Sequence, residues 1–154
     1  MKARPTVLFL ALCLIGVVMG FAQGPLMGTW KLNEAKSKLA PGAAKNSTVV
    51  YEVEGDRVTV TIDGLGGDST PVHTVWSGKF DGKDYPVTGD PNSDARSVTK
   101  INDHTFGFNV KKGGKSTAQG RIVVSQDGKS RTVTTTGTDG NGKKISSISV
   151  YEKQ

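Results

Sequence analysis

From Asn46 to the C-terminus, apolar and polar residues alternate with a period of two, and glycine-containing turns break the alternation at short intervals. Val49, Tyr51 and Val53 share one face of such a run, with Val50 and Glu52 on the other; Val58, Val60 and Ile62 alternate with Thr59, Thr61 and Asp63. Trp76 shares a face with Thr74 and Phe80, Phe106 with Phe108 and Val110, and Ala118, Gly120, Ile122 and Val124 line another. Thr132–Thr136 and Ile145–Tyr151 read as the last two strands. Successive side chains of a strand point to opposite faces, so each run buries one face only. Valine and threonine suit that half-buried pleated surface. The breaks are Asp63-Gly64, Asp81-Gly82-Lys83, Gly113-Gly114-Lys115, Asp127-Gly128-Lys129 and Asp139-Gly140-Asn141-Gly142. Such residues tolerate positive φ and close tight antiparallel hairpins.

Strands joined this way predict an all-β, up-and-down antiparallel meander of roughly eight to ten strands. A meander of that length hides its edges by closing into a β-barrel, although local pattern alone also allows a two-sheet sandwich. Pro86 and Pro91 predict a loop or edge segment, because proline cannot donate to an interior ladder. Only Asn33–Leu39 has room for a helix, and Ala40-Pro41-Gly42 would end it after a turn or two.

The N-terminus follows a different rule. Met1–Thr6 carries Lys2 and Arg4, Val7–Met19 is apolar and uncharged, and Gly20-Phe21-Ala22 supplies small residues ahead of a cut. This pattern predicts a secretory signal peptide over residues 1–22, followed by one domain over 23–154. The apolar run falls short of the ~20 residues of a membrane span, so no stable membrane anchor is expected. The expected location is periplasmic or extracellular. The single cysteine, Cys13, lies within the apolar run, behind the bulky Leu12, which disfavours lipid attachment there. A cleaved chain would therefore have no disulfide, thiolate metal site or cysteine nucleophile. The formal charge of +6 is spread along the chain without a block of like signs, and no cationic face with stacking aromatics emerges. No nucleic-acid partner is expected.

Motifs for catalysis fail on inspection of their context. Gly137–Lys144 has the G-x-x-x-x-G-K skeleton of a phosphate loop, but it lacks the following Ser or Thr and leads into a strand rather than a helix. Gly114-Lys115-Ser116 has the end of that motif, with Asn109 where its first glycine belongs. His73 and His104 are far apart and lack metal-ligand spacing. Asp63, Asp81, Asp127 and Asp139 precede glycines, where their side chains serve turns. Asn46-Ser47-Thr48 matches a glycan sequon. The expectation is a chain that is not an enzyme and carries no metal or cofactor; acids that converge only in the fold are the alternative.

Two segments carry a family resemblance. Gly28-Thr29-Trp30-Lys31-Leu32 resembles the G-x-W opening strand of the calycins, the lipocalins and fatty-acid-binding proteins, and is especially close to the latter. Tyr151-Glu152-Lys153 is similar to the end of those proteins, and Arg121–Thr134 resembles the strand, Asp-Gly-Lys hairpin and strand that precede it. The whole chain also resembles a group of small exported bacterial lipocalin-like proteins. The resemblance implies a structural signature at Gly28 and Trp30, with Trp30 plugging a closed barrel end beneath a cation from Lys153 or Arg131. It implies a small apolar ligand inside the barrel, for which the candidate lining is Tyr51, Trp76, Phe106, Phe108 and Tyr151. The same aromatics would equally build a ligand-free core.

Departures limit what carries over. Fatty-acid-binding proteins hold a carboxylate with Arg-x-Tyr in the last strand; here Ser149 stands at the arginine position, ahead of Val150 and Tyr151. Arg121 turns outward if Ile122 and Val124 face inward. The shortened lid segment and the missing Thr-Asp-Tyr turn of lipocalins are further differences. The expected function is therefore noncatalytic binding of a small apolar molecule by an exported barrel, without fatty-acid specificity. The alternative is a periplasmic or surface interaction module with a filled barrel.

Overall fold

The computed structural model describes residues 24–139 and 141–154. The segment read as a signal peptide, with Cys13, lies outside the described residues, as does Gly140 of the last hairpin. Ten strands follow in chain order: β1 (Gly28–Leu32), β2 (Lys45–Glu54), β3 (Arg57–Leu65), β4 (Pro71–Gly78), β5 (Tyr85–Thr88), β6 (Ala95–Asn102), β7 (Thr105–Lys112), β8 (Lys115–Val124), β9 (Ser130–Thr138) and β10 (Lys144–Lys153). Each pairs antiparallel with its neighbours in sequence, and β1 closes the ring by pairing with both β2 and β10. Trp30 stands opposite Val49 on one side and Lys153 on the other. Closure decides for the barrel over the sandwich.

Burial follows the predicted period. On β9, Arg131, Val133, Thr135 and Gly137 turn inward, while Thr132, Thr134, Thr136 and Thr138 are exposed. On β8, Ile122 and Val124 are buried, so Arg121 faces solvent. The β7–β8 hairpin uses the two glycines anticipated for it, Gly113 at φ 56° and Gly114 at φ 76°. Both lie in the left-handed region that a Cβ disfavours. The two phosphate-loop-like segments thus fall at hairpins.

Two local expectations shift. The N-terminal helix is a single 3-10 turn, Glu34–Lys36, capped by Asn33, whose Oδ1 accepts from Lys36 N at 3.1 Å. It stops there because Lys38 is drawn into a two-hydrogen-bond bridge with Ile148. Pro86 lies in neither a loop nor an edge but within β5 of the closed wall. Its missing N–H is tolerated because β5 is short and pairs through only two residue pairs on each side: Val75–Thr88 and Trp76–Val87, then Tyr85–Arg96 and Pro86–Ala95.

The core fills the barrel from one end. Leu26, Trp30, Trp76 and Val124 are sealed from solvent. Trp76 stacks on Phe80 with centroids 6.2 Å apart and meets Tyr85 edge-on at 6.0 Å; Phe80 meets Phe106 at 5.3 Å. Offset and edge-on contacts of this kind suit the ring quadrupoles.

Candidate ligand-binding site

The first feature of the interior is its plugged end. Trp30 lies on β1 with its Nε1 donating to the Leu26 carbonyl at 2.8 Å. The resemblance offered Lys153 or Arg131 as its cation; both take the role, Lys153 Nζ at 5.1 Å and the Arg131 guanidinium carbon at 5.2 Å from the ring centroid. Lys153 also donates to the Pro25 carbonyl at 3.0 Å, tying the C-terminal strand to the chain's entry into β1. Gly28 makes this crossing feasible. Its φ is 106°, and a Cβ there would stand 3.1 Å from Lys153 Cε. The spacing of glycine and tryptophan is thus explained by the lysine that must pass between them.

Above the plug lies a charged aromatic cluster. Arg131 is 2% exposed, and its guanidinium faces Trp30, Tyr51 and Tyr151, the last at 4.4 Å. Its Nη1 donates to the Tyr51 hydroxyl at 2.8 Å. Desolvated cation–π contacts are worth up to about 2 kcal/mol each, which offsets part of the cost of burying this charge. Arg96 on β6 shares the inward face of Val98. Its carbonyl accepts from Trp76 Nε1 at 2.8 Å, and its Nε is sealed from solvent. Burial holds the Arg96 guanidinium below the usual arginine range, against the opposing influence of Tyr51, Asp90 and Tyr151.

Burial likewise raises the pKa of the Tyr151 phenol, with Arg131 the largest influence in the other direction. A tyrosine whose folded pKa exceeds its unfolded one keeps its proton longer when folded. Its contribution is complete below the ordinary tyrosine range and is lost as pH rises from about 10 through the folded value. Urea unfolding at a series of alkaline pH values should therefore show stability falling above pH ~10, with a shallower fall in Tyr151→Phe. An unchanged slope in that variant would assign the fall to other groups.

The five aromatics expected to line a site divide between neighbouring groups. Tyr51 and Tyr151 flank Arg131; Trp76 and Phe106 join Phe80 in the aromatic cluster. Phe108 points inward opposite Gly120, its ring covering the space where that residue has no side chain. Arg96 was missed by sequence reasoning. Its signal was present in Arg96-Ser97-Val98, where period two puts a cation on an apolar face.

The interior is not sealed throughout. Val133, Thr135 and Ser149 face inward on β9 and β10 and remain half-buried, and Val133 and Ser149 are direct cross-strand partners. An inward side chain that still meets solvent borders interior space, here on the side of the Arg131–Tyr151 cluster away from Trp30. A separate groove of about 440 Å3 lies against the outer wall of β6–β9, among Thr99, Gly107, Asn109, Gln119 and Arg121. Its outward side chains are polar.

Fold and interior together define a closed ten-stranded antiparallel barrel with one plugged end and a cationic, aromatic interior. This is the kind of barrel that the calycin resemblance implies. No family model and no curated protein matches the chain. Similar solved structures include EF1p2_mFAP2b bound to DFHBI, 12% identical with a TM-score of 0.49, covering 84% of this chain and 94% of that one. Another is a redesigned β-barrel, mFAP1, bound to DFHBI, 15% identical with a TM-score of 0.41, covering 84% of this chain and 95% of that one.

Proposed function

We propose that this chain is an exported, noncatalytic binding protein of lipocalin-like type that holds a small, largely apolar molecule inside its barrel. The observation that carries this reading is the strip of inward residues Val133, Thr135 and Ser149 that water still reaches. A ligand that fills the space beside this strip displaces water from the Val133 side chain, which is favourable, and meets the Thr135 and Ser149 hydroxyls as the few polar groups of a mostly apolar pocket. The Tyr51 and Tyr151 rings beside the strip add flat, rigid contact area. Export rests on the basic, apolar and small-residue pattern of residues 1–22.

Native mass spectrometry of protein purified from its own host tests both parts. The expected spectrum has a polypeptide mass that begins at Gln23 and a second species heavier by one small molecule. A full-length polypeptide mass would remove export by cleavage. No added mass, together with no change in melting temperature across a panel of lipids, would remove the ligand. The outer groove over β6–β9 favours a second reading, an interaction module whose interior stays ligand-free. That reading expects the polypeptide mass alone.

A further inference from the structure

The two halves of the domain carry opposite charge. Ala95–Gln154 holds eleven lysines and arginines against four acids, whereas Gly24–Asp94 holds seven against ten. Each strand pairs with its neighbours in sequence, so this becomes a difference between walls: β6–β10 is basic and β1–β5 acidic. The four acids of the basic half are already engaged: Asp103 by Lys100 at 2.7 Å, Glu152 by Lys36 at 3.0 Å, Asp127 by Ser125, and Asp139 by the backbone of its own hairpin. Asp94, which reaches the β7–β8 hairpin from the preceding loop, accepts from Gly113 N at 2.8 Å. Lys112 and Lys115 at that hairpin, Lys143 and Lys144 at the β9–β10 hairpin, and Arg121 on β8 are exposed. None of the five forms an ion pair among the described residues.

The same wall holds the outer groove of about 440 Å3. Arg121 stands at its centre, with Thr134 as its partner on one side and Gly107 on the other. Gly107 forms a floor: it has no side chain, and the nearest atom to a Cβ there is Ile101 Cδ1 at 3.7 Å. In the next row, Asn109, Gln119 and Thr136 stand side by side. Asn109 Oδ1 accepts from Ser116 Oγ at 2.7 Å, which leaves the amide N–H groups of Asn109 free. Gln119 is met only at its backbone carbonyl, by Thr136 Oγ1. A guanidinium thus lies among hydroxyls and amides that both donate and accept. Ile101 and Val123, both exposed, add an apolar border to this face.

We propose that this groove binds a carboxylated polysaccharide. Arg121 holds a uronate carboxylate through two parallel N–H donors, and Asn109, Gln119 and the threonines meet sugar hydroxyls. The lysines of the two hairpins draw the polymer to this wall by charge. Each ring of such a polymer offers hydroxyls, an acid and an apolar C–H face, which is the mixture this wall matches. Other polyanions fit it less well. Nucleic bases are held by stacking on aromatic rings, and the only aromatics of β6–β9, Phe106 and Phe108, point inward. An anionic bilayer is attracted by basic residues alone and has no use for a groove or for neutral hydroxyls and amides. The site lies outside the barrel wall, so it is independent of what the interior holds.

Calorimetric titration of the purified protein with an alginate hexasaccharide, a polyuronate, and with maltohexaose, its neutral counterpart in length, tests the site. Alginate should bind at least about tenfold more tightly than maltohexaose, the scale of one charge-assisted hydrogen bond. Arg121→Gln should lower the alginate affinity by at least about tenfold, and Gly107→Val, which fills the floor, should lower it similarly. Melting curves confirm that both variants fold. Lys31→Gln removes the same charge from β1 and should leave the affinity unchanged. No loss in Arg121→Gln, or an equal loss in Lys31→Gln, would reduce the binding to net charge and overturn the site. Full affinity in Gly107→Val would place the sugar outside the groove and overturn it too, as would equal binding of the two sugars or no binding of alginate. Hexathymidylate binding as tightly as alginate would assign the wall to polyanions in general and overturn the polysaccharide. If one variant fails to fold, the other, with the comparison of the two sugars, still decides.

Discussion

Replacing Trp30 with alanine is expected to lower the free energy of unfolding by about 3–5 kcal/mol, the range for a buried aromatic truncated to a methyl group. Trp30 is fully sealed, so the loss includes both its transfer free energy and the cavity left in the plugged end. Three further contacts go with it. The indole donor leaves the Leu26 carbonyl, and Arg131 and Lys153 lose the ring face between them. The lysine keeps its hydrogen bond to the Pro25 carbonyl, but Arg131 remains buried with one ring fewer. A marginally stable domain has about 5–15 kcal/mol in total, so the variant approaches the unfolding threshold. Urea unfolding monitored by the remaining tryptophan, Trp76, measures the change. A loss below about 1 kcal/mol would mean that the plug is not packed as described.

The second large effect is expected at Gly120, midway along β8. A Cβ there would overlap the Thr134 carbonyl of β9 and stand 2.7 Å from Phe108 Cζ and 2.9 Å from its Cε1. Glycine in a strand interior ordinarily costs about 0.5–1 kcal/mol relative to alanine, so a larger residue would stabilise an open site. Here the overlap reverses the sign. Overpacking costs about 1–3 kcal/mol, and Gly120→Val belongs at the upper end because a paired main-chain carbonyl cannot rotate away. At about 2–4 °C per kcal/mol for a domain of this size, the melting temperature should fall by roughly 6–12 °C. Gly107→Ala is the internal comparison. It lies on the outer wall, where the nearest atom to a new Cβ is Ile101 Cδ1 at 3.7 Å. That variant should melt within about 2 °C of the unaltered protein, on the scale of an ordinary surface substitution. If both variants fall equally, glycine at 120 is not required by the Phe108 ring.

The strands and their inward faces were legible because period two is a property of the chain itself. The turn from Thr132 to Val133 puts one side chain in solvent and the next in the barrel whatever the strand pairs with. For the same reason, Arg121 could be turned outward from the pattern of Ile122 and Val124 alone. The resemblance offered Lys153 or Arg131 as the cation over Trp30, and both lie about 5 Å from its ring. Pro86 was misread because its penalty depends on its neighbours' hydrogen bonds, and β5 makes too few for the missing donor to matter. The 3-10 turn was placed too long because nothing within Ala35–Leu39 announces the bridge from Lys38 to Ile148.

By itself, the sequence determined which residues face inward, where the hairpins turn and that the ordered domain is built from strands. These are local consequences of alternation, of glycine at positive φ and of side-chain size. Only the tertiary structure decided that β1 meets β10, that β5 belongs to a continuous wall, and that Arg131 stands buried among Trp30, Tyr51 and Tyr151. Closure and convergence depend on which distant strands become neighbours. A period of two fixes the face of each side chain but says nothing about the groups it will meet across the barrel.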